Sequence, residues 1–277
     1  MRIRSAVPSV LLALGLITAA QAHAATVPGR ISLRAWTGFT TLSLADINDD
    51  IRSNRAAFRA DTLVEETHWD PFGGSANFRL EMDVQLTPLI SAGLGFSSQN
   101  GSIRLQASRV FSTDPITGEP AEVETFERDP KYSAWDVVGT LGLWFPSAPG
   151  LNFGLQLGFV RGELVSEDTH LLDTFSSSPV LEISNGDWKG TGAVVGAFGG
   201  YERPILPELS LSTRMGYRYR NIARPDGVLR TTSWGDQGNS REWTSGPLLD
   251  SKGKPMDLNL SGFYCEVGLT LGFGGGD

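Results

Sequence analysis

The chain has 277 residues, one cysteine, three histidines and a formal net charge of −8. A lone thiol excludes an intramolecular disulfide framework, and the acidic balance argues against a nucleic-acid partner. Past residue 24 no apolar run reaches the ~18 residues of a membrane-crossing helix, so any crossing must be made by strands.

Residues 1–24 read as a cleaved secretory signal peptide, leaving 25–277 as one barrel domain. Arg2 and Arg4 form the basic start, residues 7–20 the apolar core, and Ala22-His23-Ala24 an A-x-A cleavage site, with Ala20-Gln21-Ala22 as the alternative. Loss of the two arginines takes the charge from −8 to −10. The single cysteine, Cys265, lies far from the cleavage site, which argues against a lipid anchor.

Residues 30–44 form the first candidate strand. Ile31, Leu33, Ala35, Thr37 and Phe39 fall on one face, and Ser32, Arg34, Trp36 and Gly38 on the other. A long connection follows over 45–75. Its 45–64 part sets Ile47, Ile51, Asn54 and Phe58 at helical spacing, with acids early and arginines late, as a helix dipole favours. A short helix is therefore expected in this first long loop. Strands two and three cover 76–86 and 89–96, the latter with a continuation toward Phe111. Strands four and five cover 132–145 and 151–165, and strands six and seven 191–201 and 209–220.

The eighth strand, within 257–273, is the clearest. Phe263, Cys265, Val267, Leu269, Leu271 and Phe273 alternate with Tyr264, Glu266, Gly268, Thr270 and Gly272. This run exceeds an ordinary globular strand and matches the ~9–11 tilted residues that cross a bilayer as barrel wall. Connections after strands two, four and six are short and carry proline; those after one, three, five and seven are long and polar. An antiparallel up-and-down transmembrane barrel has this asymmetry between its two ends.

Charges in mid-strand opposite large apolar rows allow two arrangements. A soluble barrel of lipocalin type would turn the charges to solvent, and a membrane barrel would turn them into the lumen. Three features favour the membrane version. Glycines (Gly93 and Gly95; Gly192, Gly196 and Gly200; Gly268 and Gly272) share the polar face, where a narrow lumen needs small residues beside long ones. Trp36, Phe39, Trp135, Trp144, Phe145, Tyr201, Tyr217, Tyr219 and Phe273 gather near strand ends, as interfacial girdles do. The strands are also long and finish in an apolar-aromatic run.

On the leader, the eight amphipathic strands, the loop asymmetry and the aromatic end of the last strand, the mature chain resembles the small bacterial outer-membrane β-barrels. That family includes OmpX, OmpW and the OmpA membrane domain. The resemblance implies an all-β, eight-stranded barrel in the outer membrane of a Gram-negative-type cell. It also implies that Phe273 is the aromatic signal read by the barrel-insertion machinery, although residues 274–277 follow it here.

The inward charges are Arg34, Arg79, Glu81, Asp83, Arg214, Arg218 and Glu266, with Arg220 and Glu202 beside them. An unpaired charge in a low-dielectric wall is costly, so a mutually paired network is expected. Glu266 should reach Arg34 on one side and Arg214 or Arg218 on the other. Such a network either plugs the lumen or lines a pore, and the plug is favoured.

The Asp46-x-Asn48-x-Asp50 spacing is that of the first ligands of a calcium loop. Ile51 and Ala57 stand where the turn glycine and closing glutamate belong, so a helix start is the better reading. Barrel enzymes of this superfamily use Asp–His or Ser–His sets. Asp168-Thr169-His170 imitates the former, but the other mature histidine, His68, offers no matching pattern. No catalytic, cofactor or metal residue is therefore assigned.

Trp188, Trp234 and Trp243 lie in polar loops, where they meet a protein or glycan, dip into the headgroup layer, or pack loop on loop. The expected role is structural or surface-interacting, through the long extracellular loops. The alternative is a narrow channel or transporter for small or apolar solutes. Outer-membrane lipid, the insertion machinery and an extracellular protein or glycan are the expected partners.

Overall fold

The computed structural model describes residues 27–59, 64–69, 73–113, 120–174, 179–235 and 238–274. The leader expected at 1–24 lies outside the described residues. In chain order the elements are β1 (Ile31–Thr41), helix α1 (Ala45–Arg59), β2 (Val64–Trp69), β3 (Gly74–Gln85), β4 (Ile90–Ser102), β5 (Leu105–Thr113), β6 (Pro120–Arg128), β7 (Lys131–Trp144), β8 (Leu151–Thr174), β9 (Val180–Pro204), β10 (Leu209–Ile222), β11 (Asp226–Gly235), β12 (Gly238–Pro247), β13 (Leu258–Asn259) and β14 (Gly262–Phe273).

Eight of these close a barrel in the order β1-β3-β4-β7-β8-β9-β10-β14 and back to β1, every pair antiparallel. The closing seam sets Ile31 opposite Phe273 and Phe39 opposite Cys265. Closure leaves no wall strand with an unpaired edge, which is what makes a sheet viable in lipid.

Strand parity decides which side faces lipid. In β14 the odd residues from Phe263 to Phe273 are exposed, while Tyr264, Glu266 and Thr270 are buried. The same inversion holds in β3, where Phe78, Leu80 and Met82 face out and Asn77, Arg79, Glu81 and Asp83 face in. A water-soluble barrel would show the opposite, so the apolar belt marks a bilayer-spanning wall.

The connections at 86–89, 145–150 and 205–208 are tight turns. Thr87 Oγ1 accepts from the amides of Leu89 and Ile90 at 3.2 and 3.0 Å, and Phe145 and Ile205 donate to Leu151 and Leu209 across the other two turns. Both ends of the described chain emerge on this same side.

The opposite side departs from the long loops expected there. β8 and β9 run for 24 and 25 residues, well past the belt, and their outer halves carry further strands. On one flank the sheet continues through β6, β5 and β2, and on the other through β11 and β12. The expected loops at 113–131, 166–189 and 221–256 thus contain much of a sheet. Both faces of these strands carry Ser, Thr, Glu and Arg, so no apolar alternation betrays them; pairing onto the long hairpin is what orders them. α1 forms where the helical spacing placed it, ending at Arg59.

Candidate functional site: the lumen and its cap

The inward rows of the barrel meet in its centre. Glu81 accepts from Arg79 Nε at 2.7 Å and from both terminal nitrogens of Arg214 at 3.1 Å, with Arg34 Nη1 at 3.7 Å. Arg34 also pairs with Asp83, and with Glu202 at 3.2 Å. Glu266 takes Arg218 Nη2 at 2.8 Å, Arg214 Nε at 3.3 Å and the Asn77 amide at 2.9 Å. Arg79 donates to Thr140 Oγ1 at 3.3 Å.

Register explains who meets whom. β1 places Arg34 opposite Glu81 on β3, and β10 places Arg214 opposite Glu266 on β14. Glu266 does not touch Arg34: on the seam its partner is Gly38, and Arg34 lies opposite Thr270, four residues farther along. Gly95 stands beside Arg79, and a Cβ there would come within 2.6 Å of the guanidinium.

Several lumen residues escaped the sequence reading. Asp136 accepts from Ser97 Oγ at 2.6 Å and from Arg220 Nη1 at 3.2 Å, and Gln156 Oε1 accepts from Arg218 Nε at 2.9 Å. Parity could have found Asp136, which shares its face of β7 with Tyr132, Ala134 and Thr140.

Trp36 and Trp144, expected in the interfacial girdle, instead point inward and are buried. The Arg214 guanidinium lies 4.2 Å over the Trp36 ring and 4.7 Å over Phe198, and Arg34 sits 5.8 Å over Trp144. Arg218 covers Tyr264 at 3.8 Å. These rings pack against the arginines by cation–π attraction, filling space that carboxylates leave. The other residues assigned to the girdle, Phe39, Trp135, Phe145, Tyr201, Tyr217, Tyr219 and Phe273, do face outward.

Two layers of side chains cross the lumen. The space among Arg34, Glu81, Asp83, Glu202 and Arg214 amounts to about 20 Å³, room for roughly one water. Toward the extracellular mouth the lining turns apolar, with Val138, Val160, Leu164, Val194 and Ile222. Ile47 and Ile51 of α1 and Leu248, Met256, Leu258 and Leu260 of the last connection pack into this layer. Leu44, where the chain turns from β1 into α1, has φ of 36°. That conformation is costly for a branched side chain and is held by its complete burial in the cap.

The acidic start of α1 clamps the cap. Asp46 Oδ2 accepts from the Asp257 amide and Asp50 Oδ1 from the Ser251 amide, each at 2.9 Å, while the Asn48 amide donates to the Ser43 carbonyl at 2.9 Å. The Asp-x-Asn-x-Asp spacing thus joins helix to loop. Asp168 and His170 serve different partners: Asp168 accepts from Arg128 and Ser166 at 2.8 and 2.5 Å, and His170 Nε2 meets Glu124 at 2.5 Å. The side chain of His68 lies outside the described residues.

Neither a family model nor a curated protein matches the sequence. Solved structures do match in shape. The attachment invasion locus protein Ail of Yersinia pestis aligns with a TM-score of 0.40 at 10% identity, over 89% of this chain and 99% of its own. A major outer membrane protein of Thermus thermophilus gives 0.39 at 12%, over 88% and 99%. The outer membrane protease OmpT of Escherichia coli gives 0.31 at 10%, over 91% and 98%. With its sheet closed on itself, apolar residues turned outward and charges turned in, the chain is an eight-stranded barrel of the outer-membrane type.

Proposed function

We propose that the protein is a non-enzymatic outer-membrane barrel whose lumen is a structural plug and whose working surface is the extracellular sheet. The observation that carries this reading is the double closure: a paired charge layer at the level of Glu81 and Glu266, and an apolar layer beneath α1. A solute would have to break both. Arg34, Arg79, Asp83, Arg214 and Arg218 hold the wall strands together across the lumen. Phe273, exposed at the end of β14, is the residue offered to the insertion machinery, and residues 1–24 direct export.

What remains free to meet a partner is the sheet above the belt. In β12 nearly every residue is exposed, and Trp243, 69% exposed, has the Arg230 guanidinium 4.8 Å over its ring. An accessible indole braced by arginine is a suitable contact for a protein or glycan.

Refolded protein in a planar bilayer should give no discrete conductance steps, once heat-modifiable migration on unboiled gels has shown that the barrel is folded. Stable unitary channels would overturn this reading and put transport of small solutes first.

A further inference from the structure

The lipid-facing wall carries a furrow along β1. Two successive outward rows cross it, Leu80–Ala35–Leu269 and Phe78–Thr37–Val267. In each row the member from β1 is the small one, flanked by larger side chains of β3 and β14. Two apolar hollows, of about 660 and 350 Å³, share Ala35 and Leu269. On the β3 side the furrow is bounded by a ridge, Phe78, Leu80 and Met82, each about half exposed.

Thr37 does not suit a wall turned to lipid. Its side chain is exposed in the middle of the apolar belt, and among the described residues its hydroxyl has no hydrogen-bond partner. Two other outward threonines behave differently: Thr213 donates to the Tyr201 carbonyl at 3.5 Å and Thr41 to the Phe263 carbonyl at 3.2 Å. A hydroxyl without a partner in hydrocarbon is costly.

We propose that the furrow is the contact between two copies of this chain lying side by side in the membrane, the β3 ridge of each seated in the furrow of the other. Copies inserted in the same direction pair about a two-fold axis along the membrane normal. An axis between β1 and β3 sets each ridge against the opposite furrow, residue for residue. It also brings the two Thr37 hydroxyls to one level, where one donates to the other. Lipid tails are as apolar as leucine, so such a pair rests on close packing and hydrogen bonds, which small residues and a hydroxyl supply. A lipid chain can fill the furrow but offers Thr37 no acceptor. Ridge, furrow and the β14 side together expose on the order of 600 Å² per copy, which reaches the ~1,200 Å² in total at which specific interfaces begin. The contact lies on the outer wall and does not depend on whether the lumen conducts.

Sedimentation equilibrium of the refolded protein in density-matched detergent micelles tests this. Wild type should sediment with the mass of two chains. Ala35→Phe fills the furrow and should weaken the pair roughly a hundredfold. Thr37→Val keeps the shape, removes the hydroxyl and should weaken it roughly tenfold. Leu157→Phe, on the lipid face of β8 across the barrel, should leave it unchanged. All three positions face outward, and heat-modifiable migration confirms folding for each variant. A wild type that is monomeric at every concentration, with or without a phospholipid retained through purification, would overturn the second copy as occupant. A dimer left intact by both Ala35→Phe and Thr37→Val would overturn the furrow as its contact.

Discussion

Glu81→Gln is expected to lower the unfolding free energy by roughly 3–5 kcal/mol, the usual cost of removing one partner from a buried ion pair. Three arginines, Arg34, Arg79 and Arg214, converge on this carboxylate, and Arg79 and Arg214 are almost wholly buried. Glutamine keeps the shape and one acceptor oxygen, so the loss reports charge, not packing. Urea unfolding in lipid vesicles, followed by the disappearance of the fast-migrating band, measures it. Adding Arg79→Met should restore part of the loss, because Arg79 is ion-paired through Glu81 and the second change removes the cation that the first left unpaired. If Glu81→Gln unfolds at the wild-type urea concentration, water screens the lumen charges and the plug is weaker than its geometry implies.

Ile51→Asp should cost about 4 kcal/mol or more where it acts, but the damage should stay local. Ile51 is 3% exposed, within a cluster of buried apolar side chains. The cap is a separate layer above a sheet whose hydrogen bonds close without it. Opening α1 and the 248–260 segment relieves the buried charge more cheaply than opening the wall. The variant should therefore keep its heat-modifiable band while becoming cleavable by trypsin at Arg52. A protein that loses the folded band altogether would mean that the cap and the wall form one cooperative unit.

The wall was legible because each strand alternates large apolar residues with charges or glycine, and the loop lengths set the topology. Strand parity placed the charges on the face opposite the apolar rows, and Arg79, Glu81, Asp83, Arg214, Arg218 and Glu266 are buried. Their partners were not legible. Glu266 and Arg34 sit on neighbouring strands, yet the stagger of the seam separates them, and stagger is set by closure, not by either strand alone. Trp36 and Trp144 misled because an aromatic near a strand end suits a girdle and a lumen equally; only the residue opposite, and the arginine above, decide. The extracellular strands were missed because Ser, Thr, Glu and Arg fall on both their faces and leave little period-two apolar trace, even in β5, where Leu105 and Ala107 are buried in the apolar layer. β11 and β12 are recognisable only once β9 is known to extend far enough to template them.

The seam between β1 and β14 also governs when the molecule can become itself. It joins the two ends of the described chain, so its formation carries a loop-closure cost about 3 kcal/mol above that of a twelve-residue hairpin. It also comes only after β14 has been synthesised. Until then every intermediate sheet presents two open edges and an outward greasy face. A chain cut short before Gly262 would keep most of its wall and still have no folded state to reach, and in the cell it should be found with holding chaperones or proteases and not in the membrane.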